Sequence, residues 1–180
     1  NIYGPLSSYV GEALHLLGLS LVDAVKGVFA LAALASSWTA YLWLRLYSRP
    51  PGAVLGALLY LYAPYHIADI YVRASLAETV ALAFVPLCLW AFGRLYPAGR
   101  AAGPDLRGVL LAGLSYAGLM LSSNLVALLF SPILGFYFLV RAWHRFDQAQ
   151  PRRQLSRQSW PTALGHGVHA LIPAASGVAL

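Results

Sequence analysis

The chain has 180 residues, 59% of them hydrophobic and only 10% charged, with a mean hydropathy of +0.66 and a formal net charge of +6. Such a composition excludes an ordinary soluble domain and describes a polytopic membrane protein, because each bilayer span needs about 20 mainly apolar residues. A nucleic-acid partner is also excluded, since it would require the basic residues on one folded surface and here they are spread over the loops between apolar runs.

In chain order, a short amphipathic stretch, Leu6–Leu17, is expected at the membrane interface. Six candidate spans follow: Leu19–Leu46, Gly52–Tyr71 (broken at Pro64), Leu76–Leu95, Leu106–Leu121, Leu125–Val140 and Pro161–Leu180. The last is interrupted by His166 and His169. The expectation is an all-α transmembrane bundle of about six spans, with residues 1–180 forming one multi-pass region. Within it, Gln148–Ser159 reads as a basic cytoplasmic linker. The chain starts without a methionine and stops inside an apolar run, and so reads as a piece of a longer protein.

The loops set the orientation. Arg45 and Arg49, then Arg94, Arg100 and Arg107, then Arg141, Arg145, Arg152, Arg153 and Arg157 all fall on alternate connections. These are ten of the twelve basic residues. This positive-inside pattern makes those connections cytoplasmic. Lys26 and Arg73 fall on the other side with Glu12, Asp23, Asp69 and Glu78. Aromatic residues gather near both ends of the spans, where amphipathic rings favour the headgroup zone. Cys88 is the sole cysteine, which leaves no disulfide framework and no cysteine-based metal site.

The most informative stretch is Tyr62–Glu78, which places His66, Asp69, Arg73 and Glu78 between two apolar runs. Ionisable groups there are expensive unless they pair, reach water or bind something polar. Pro64 bends the chain, leaving Tyr65–Ala74 irregular or briefly helical. On a helix, His66, Asp69 and Arg73 share a face. That arrangement makes either an interfacial salt bridge with a supporting histidine, or an arginine that binds an anionic headgroup or diphosphate while Asp69 orients it. Ser75-Leu-Ala-Glu78 matches a capping box, which would direct Glu78 to the backbone at the start of the next helix. Asp23 and Lys26 read as a local ion pair. Asn124, in the turn Ser122-Ser-Asn124, and Tyr3, in Tyr3-Gly-Pro-Leu-Ser-Ser-Tyr9, lie on the same outer side and are candidates to line a polar pocket, although each segment alone reads as a turn. His166 and His169 have a spacing open to a metal, but packing explains them without one. No phosphate-binding loop, nucleophile elbow or dinucleotide fingerprint is present.

Several of these segments together resemble a known family. Tyr62-Ala-Pro-Tyr-His66, Asp69-Ile-Tyr-Val-Arg-Ala-Ser-Leu-Ala-Glu78 and Val85-Pro-Leu87, with Asn1-Ile-Tyr-Gly-Pro-Leu6 and Ser122-Ser-Asn-Leu-Val-Ala-Leu-Leu129, are similar to the bacterial membrane proteins labelled "6-pyruvoyl-tetrahydropterin synthase-related". Those proteins resemble the C-type (GT-C) membrane glycosyltransferases, and the similarity covers most of residues 1–140. It implies a bacterial plasma-membrane protein of the cell envelope that acts on a polyprenyl-phosphate-linked sugar at the extracytoplasmic face. A divalent metal ion is a possible cofactor. It also implies a substrate-binding set of Tyr3, Tyr65, His66, Asp69, Arg73, Glu78 and Asn124, with an acidic catalytic residue in a loop upstream of this sequence. The other reading is a non-catalytic transporter, lipid handler or envelope-assembly scaffold.

Overall fold

A computed structural model describes residues 4–95 and 106–149. Tyr3, Arg100, the final apolar run with His166 and His169, and all of the basic linker beyond Ala149 lie outside the described residues. The fold is all-helical, with no β-strand among the described residues. Its elements are α1 (Leu6–Leu16), α2 (Leu21–Leu44), α3 (Pro50–Leu61), α4 (Pro64–Ile67) continued by a π-helical turn (Ala68–Val72), α5 (Leu76–Arg94), α6 (Leu106–Ser122) and α7 (Asn124–Ala149).

Three helices, α2, α5 and α7, are long and apolar enough to cross a membrane. A fourth span forms if α3 and the α4–π segment are taken together across their 43° bend. With 17 residues, α6 is a shorter apolar helix, about 25 Å long at 1.5 Å per residue. The bend has a plain cause. Pro64 opens α4, and Ala63 before it is extended (ψ 138°), as a residue preceding proline prefers.

At the head of α2, Ser20 caps the helix by accepting the Asp23 amide at 3.2 Å, and its hydroxyl donates to Asp23 Oδ2 at 2.6 Å. No ion pair joins Asp23 to Lys26 among the described residues, which corrects the pairing expected from their spacing. One face of α2 carries Ala24, Val28, Ala32, Ser36 and Ala40, four residues apart throughout. Small side chains on one stripe let backbones approach closely in a bilayer, where packing and hydrogen bonds replace the hydrophobic drive. Accordingly α2 lies along α5, and Thr39 Oγ1 donates across the seam to the Ala83 carbonyl at 2.8 Å.

The most enclosed span is α5. Its Ala81 and Cys88 meet Leu119 of α6 and Ala127, Phe130 and Leu134 of α7 in the main core. The interfacial expectation for residues 6–17 gains a partner, because Leu6, Val10 and Leu14 of α1 pack against Val28, Ala32 and Val80. At the opposite end of the bundle, Tyr47, Tyr137, Arg141 and the C-terminus of α5 come together. The two tyrosine hydroxyls are 2.5 Å apart, and Arg141 Nη2 donates to the Gly93 carbonyl at 2.5 Å.

Candidate functional site

Pro86 lies inside α5 and has no amide proton, so the Leu82 carbonyl loses its usual helical donor. Tyr60 of α3 fills the gap, donating its hydroxyl to Leu82 O at 2.8 Å. The same ring stands edge-on to His66, with centroids 5.0 Å apart. Tyr60 thus fixes the root of the α4–π segment against α5. Its part in the site was not read from the sequence, because the partner is 22 residues away and is a backbone atom.

Above that contact the π-turn carries Asp69 inward. The turn ends with Arg73 N donating to Ala68 O at 2.8 Å and Ser75 N to Asp69 O at 3.0 Å. Between them Ala74 takes the left-handed conformation (φ 48°), which is uncommon for a residue with a Cβ. This reversal turns Arg73 back over the first turn of α5. Arg73 Nη1 donates to Glu78 Oε2 at 2.7 Å and Nη2 to Glu78 Oε1 at 2.8 Å, a two-pronged pair. Nη1 also reaches Asp69 Oδ1 at 2.9 Å and the Tyr65 hydroxyl at 3.1 Å, and that hydroxyl donates to Glu78 Oε2 at 3.0 Å.

Four residues singled out in the sequence are therefore joined by hydrogen bonds, Tyr65, Asp69, Arg73 and Glu78, while His66 is buried against the Tyr60 ring. The shared face of Asp69 and Arg73 is realised as an ion pair. The capping-box expectation for Glu78 is overturned. Ser75 makes no side-chain cap at α5, its Oγ is buried without a partner, and the Glu78 carboxylate is spent on Arg73. The guanidinium is the stronger donor, since it offers two charge-assisted hydrogen bonds at once.

Burial within the cluster is uneven. Glu78 and Asp69 are 1% and 0% exposed, whereas the Arg73 side chain is 43% exposed. Glu78 first, with Tyr65 and Asp69 adding to it, pushes the Arg73 guanidinium above its ordinary value, so it is a fixed cation. The end of the guanidinium, Nη1 and Nη2, faces the carboxylates. Its side edge, Nε–H and the second Nη2–H, makes no hydrogen bond among the described residues. That edge is a planar pair of donors on a side chain that is 43% exposed, a geometry that matches two oxygens of a phosphate.

Asn124 has a different setting. It opens α7 and lines a cavity of about 610 Å³ with Gly4, Pro5, Ser7, Ser8 and Leu121. Gly4 donates its amide to the Ser122 carbonyl at 3.1 Å, and its Cα lies too close to the Leu121 carbonyl to admit a Cβ. The N-terminal segment and the α6–α7 turn are thus in contact, while the hydrogen bonds of the Arg73 cluster do not include Asn124. No group of three or more His, Cys, Asp or Glu residues is arranged to hold a metal ion among the described residues.

Comparison of the chain with family models, curated proteins and solved structures finds no match.

Proposed function

We propose that this chain is part of an integral membrane GT-C-like glycosyltransferase of the bacterial plasma membrane, built on about six spans. In this reading Tyr62–Glu78 lies on the extracytoplasmic side and binds a polyprenyl-phosphate-linked sugar. The supporting observation is the half-exposed Arg73. Two buried carboxylates hold its end, and its side edge makes no hydrogen bond among the described residues. Binding a phosphate there needs no rearrangement of the clamp. In the transfer step an acceptor hydroxyl attacks the anomeric carbon and the bond to the lipid phosphate breaks. The leaving phosphate keeps the electron pair, and the hydroxyl proton passes to a carboxylate base. Arg73 then stabilises the charge that develops on the departing phosphate. The base is the acidic residue that the family resemblance puts in an upstream loop.

The test uses the chain in lipid nanodiscs and a radiolabelled polyprenyl phosphate. Lysine at position 73 keeps the charge and can still pair with Glu78, but it lacks the planar fork. Arg73→Lys is expected to weaken binding about tenfold or more, the equivalent of one charge-assisted hydrogen bond. Equal binding by both proteins, or none by the wild type, sinks the proposal.

A transporter is the second reading, favoured by the 43° break beside two buried ionisable residues. It predicts uptake or release of a solute by proteoliposomes that is lost on Arg73→Lys, with no retention of polyprenyl phosphate.

A further inference from the structure

We infer that His66 and Asp69 together form a binding site for a single proton at the buried base of the Arg73 cluster. Asp69 is 0% exposed and His66 1% exposed. Arg73 takes Asp69 Oδ1, but Oδ2 has no partner, and neither has His66 Nε2. The two residues are three apart along one helical path, which puts them on the same face. Ser75 Oγ is a third orphaned atom, and its amide is bonded to the Asp69 carbonyl.

The charges explain why a proton belongs there. The groups that face the pair are Arg73 from the end of the π-turn, Glu78 from α5, and the neutral hydroxyl groups of Tyr65 from α4 and Tyr60 from α3. With both carboxylates ionised, the cluster carries one cation and two anions. A buried, uncompensated negative charge with an unpartnered oxygen is costly. One added proton makes the cluster neutral. It also makes the orphaned nitrogen and oxygen complementary, as an imidazolium donating to a carboxylate or a carboxylic acid donating to an imidazole. Neither atom has a partner as the side chains stand, so the bond passes through one water that also reaches Ser75 Oγ, or forms on a small side-chain rotation. A neutral imidazole with its proton on Nε2 would satisfy the hydrogen bond but leave the excess charge in place.

With the proton bound, Glu78 is the one anion facing Arg73 that the proton does not offset; losing the proton adds a second negative charge and is expected to weaken anion binding. That consequence rests on the phosphate reading above, whereas the proton site does not.

The experiment uses the chain in nanodiscs at pH 7, with infrared detection of protonated carboxyl groups and nitrogen NMR of labelled histidines. The expected result is either a carboxylic-acid carbonyl band removed by Asp69→Asn, or an imidazolium signal removed by His66→Gln. Should those variants fail to fold, carbon NMR of labelled aspartate in the wild type supplies the assignment. Glu78→Gln gives the sharpest outcome. It removes one anion, so the pair should release its proton at the same pH. An ionised Asp69 beside a neutral His66 in the wild type, or a proton that persists in Glu78→Gln, overturns the inference. A protein that holds the proton but does not bind polyprenyl phosphate refutes the role of Arg73 and leaves the proton site standing.

Discussion

Tyr60 supports the site from below by repairing a defect. Pro86 removes a donor from the middle of a span, where no water replaces it. The Tyr60 hydroxyl supplies one and pins α3 to α5 at the foot of the α4–π segment. Tyr60→Phe leaves the Leu82 carbonyl unsatisfied and is expected to cost about 1–3 kcal/mol, the penalty for an orphaned buried polar group. Pro86→Ala returns an amide to that carbonyl, so adding it to Tyr60→Phe should recover much of the loss. Unfolding of the purified protein in mixed micelles measures both, and simple additivity of the two substitutions would contradict the repair. The sequence makes the Asp69–Arg73 pair legible, because a four-residue spacing on a helix is a local rule. The Glu78–Arg73 pair is not legible. It depends on Ala74 adopting a left-handed backbone, and an alanine in that position carries no sequence signal as a glycine would. Without that reversal Ser75–Glu78 is a reasonable capping box.

At the scale of elements, the apolar helices are readable from length and hydropathy. Of the six spans expected, however, only three, or four with the bent pair, are long and apolar enough to cross a membrane among the described residues. The observed α2, α5 and α6 start and end within about two residues of the boundaries read from the sequence, and α7 continues past the expected end into the basic segment. What hydropathy does not specify is which faces meet, since lipid-facing and helix-facing positions are both apolar. Close packing does specify it. Gly118 on α6 lies against the Phe84 ring of α5, where a Cβ would overlap the aromatic carbons. Gly113, five residues earlier, has nothing within 4 Å of the same added atom. Gly118→Ala is expected to destabilise the bundle by about 1–3 kcal/mol, as overpacking does in a filled core. Gly113→Ala should be neutral or slightly stabilising, because alanine is the better helix former. Equal effects of the two in the same unfolding assay would mean that α5 and α6 do not meet on this face.

For the whole molecule, the two ends of the bundle differ in chemistry, and this difference can be turned into a test of orientation. One end holds Arg45, Arg94 and Arg141 with Tyr47 and Tyr137, and the other holds the Arg73 cluster with its two buried carboxylates. If positive charge sets the topology, the first end is cytoplasmic and the second faces outward. The sole cysteine, Cys88, is buried at 0% exposure and sits among α5, α6 and α7, so it should stay silent toward a bulky maleimide. Single introduced cysteines can therefore be read in the otherwise native chain. Val72 is 81% exposed at the end of the π-turn, and Arg49 is exposed in the α2–α3 connection. In intact spheroplasts a membrane-impermeant maleimide should label Val72→Cys and spare Arg49→Cys, and permeabilisation should make both reactive. Labelling of Arg49→Cys alone before permeabilisation would invert the protein, put the Arg73 cluster on the cytoplasmic side and remove the lipid-linked sugar at the outer face as its ligand. Labelling of both from outside would instead show that α2 and α3 do not form consecutive crossings. Only the first pattern keeps the open edge of Arg73 on the side where the proposed substrate is presented.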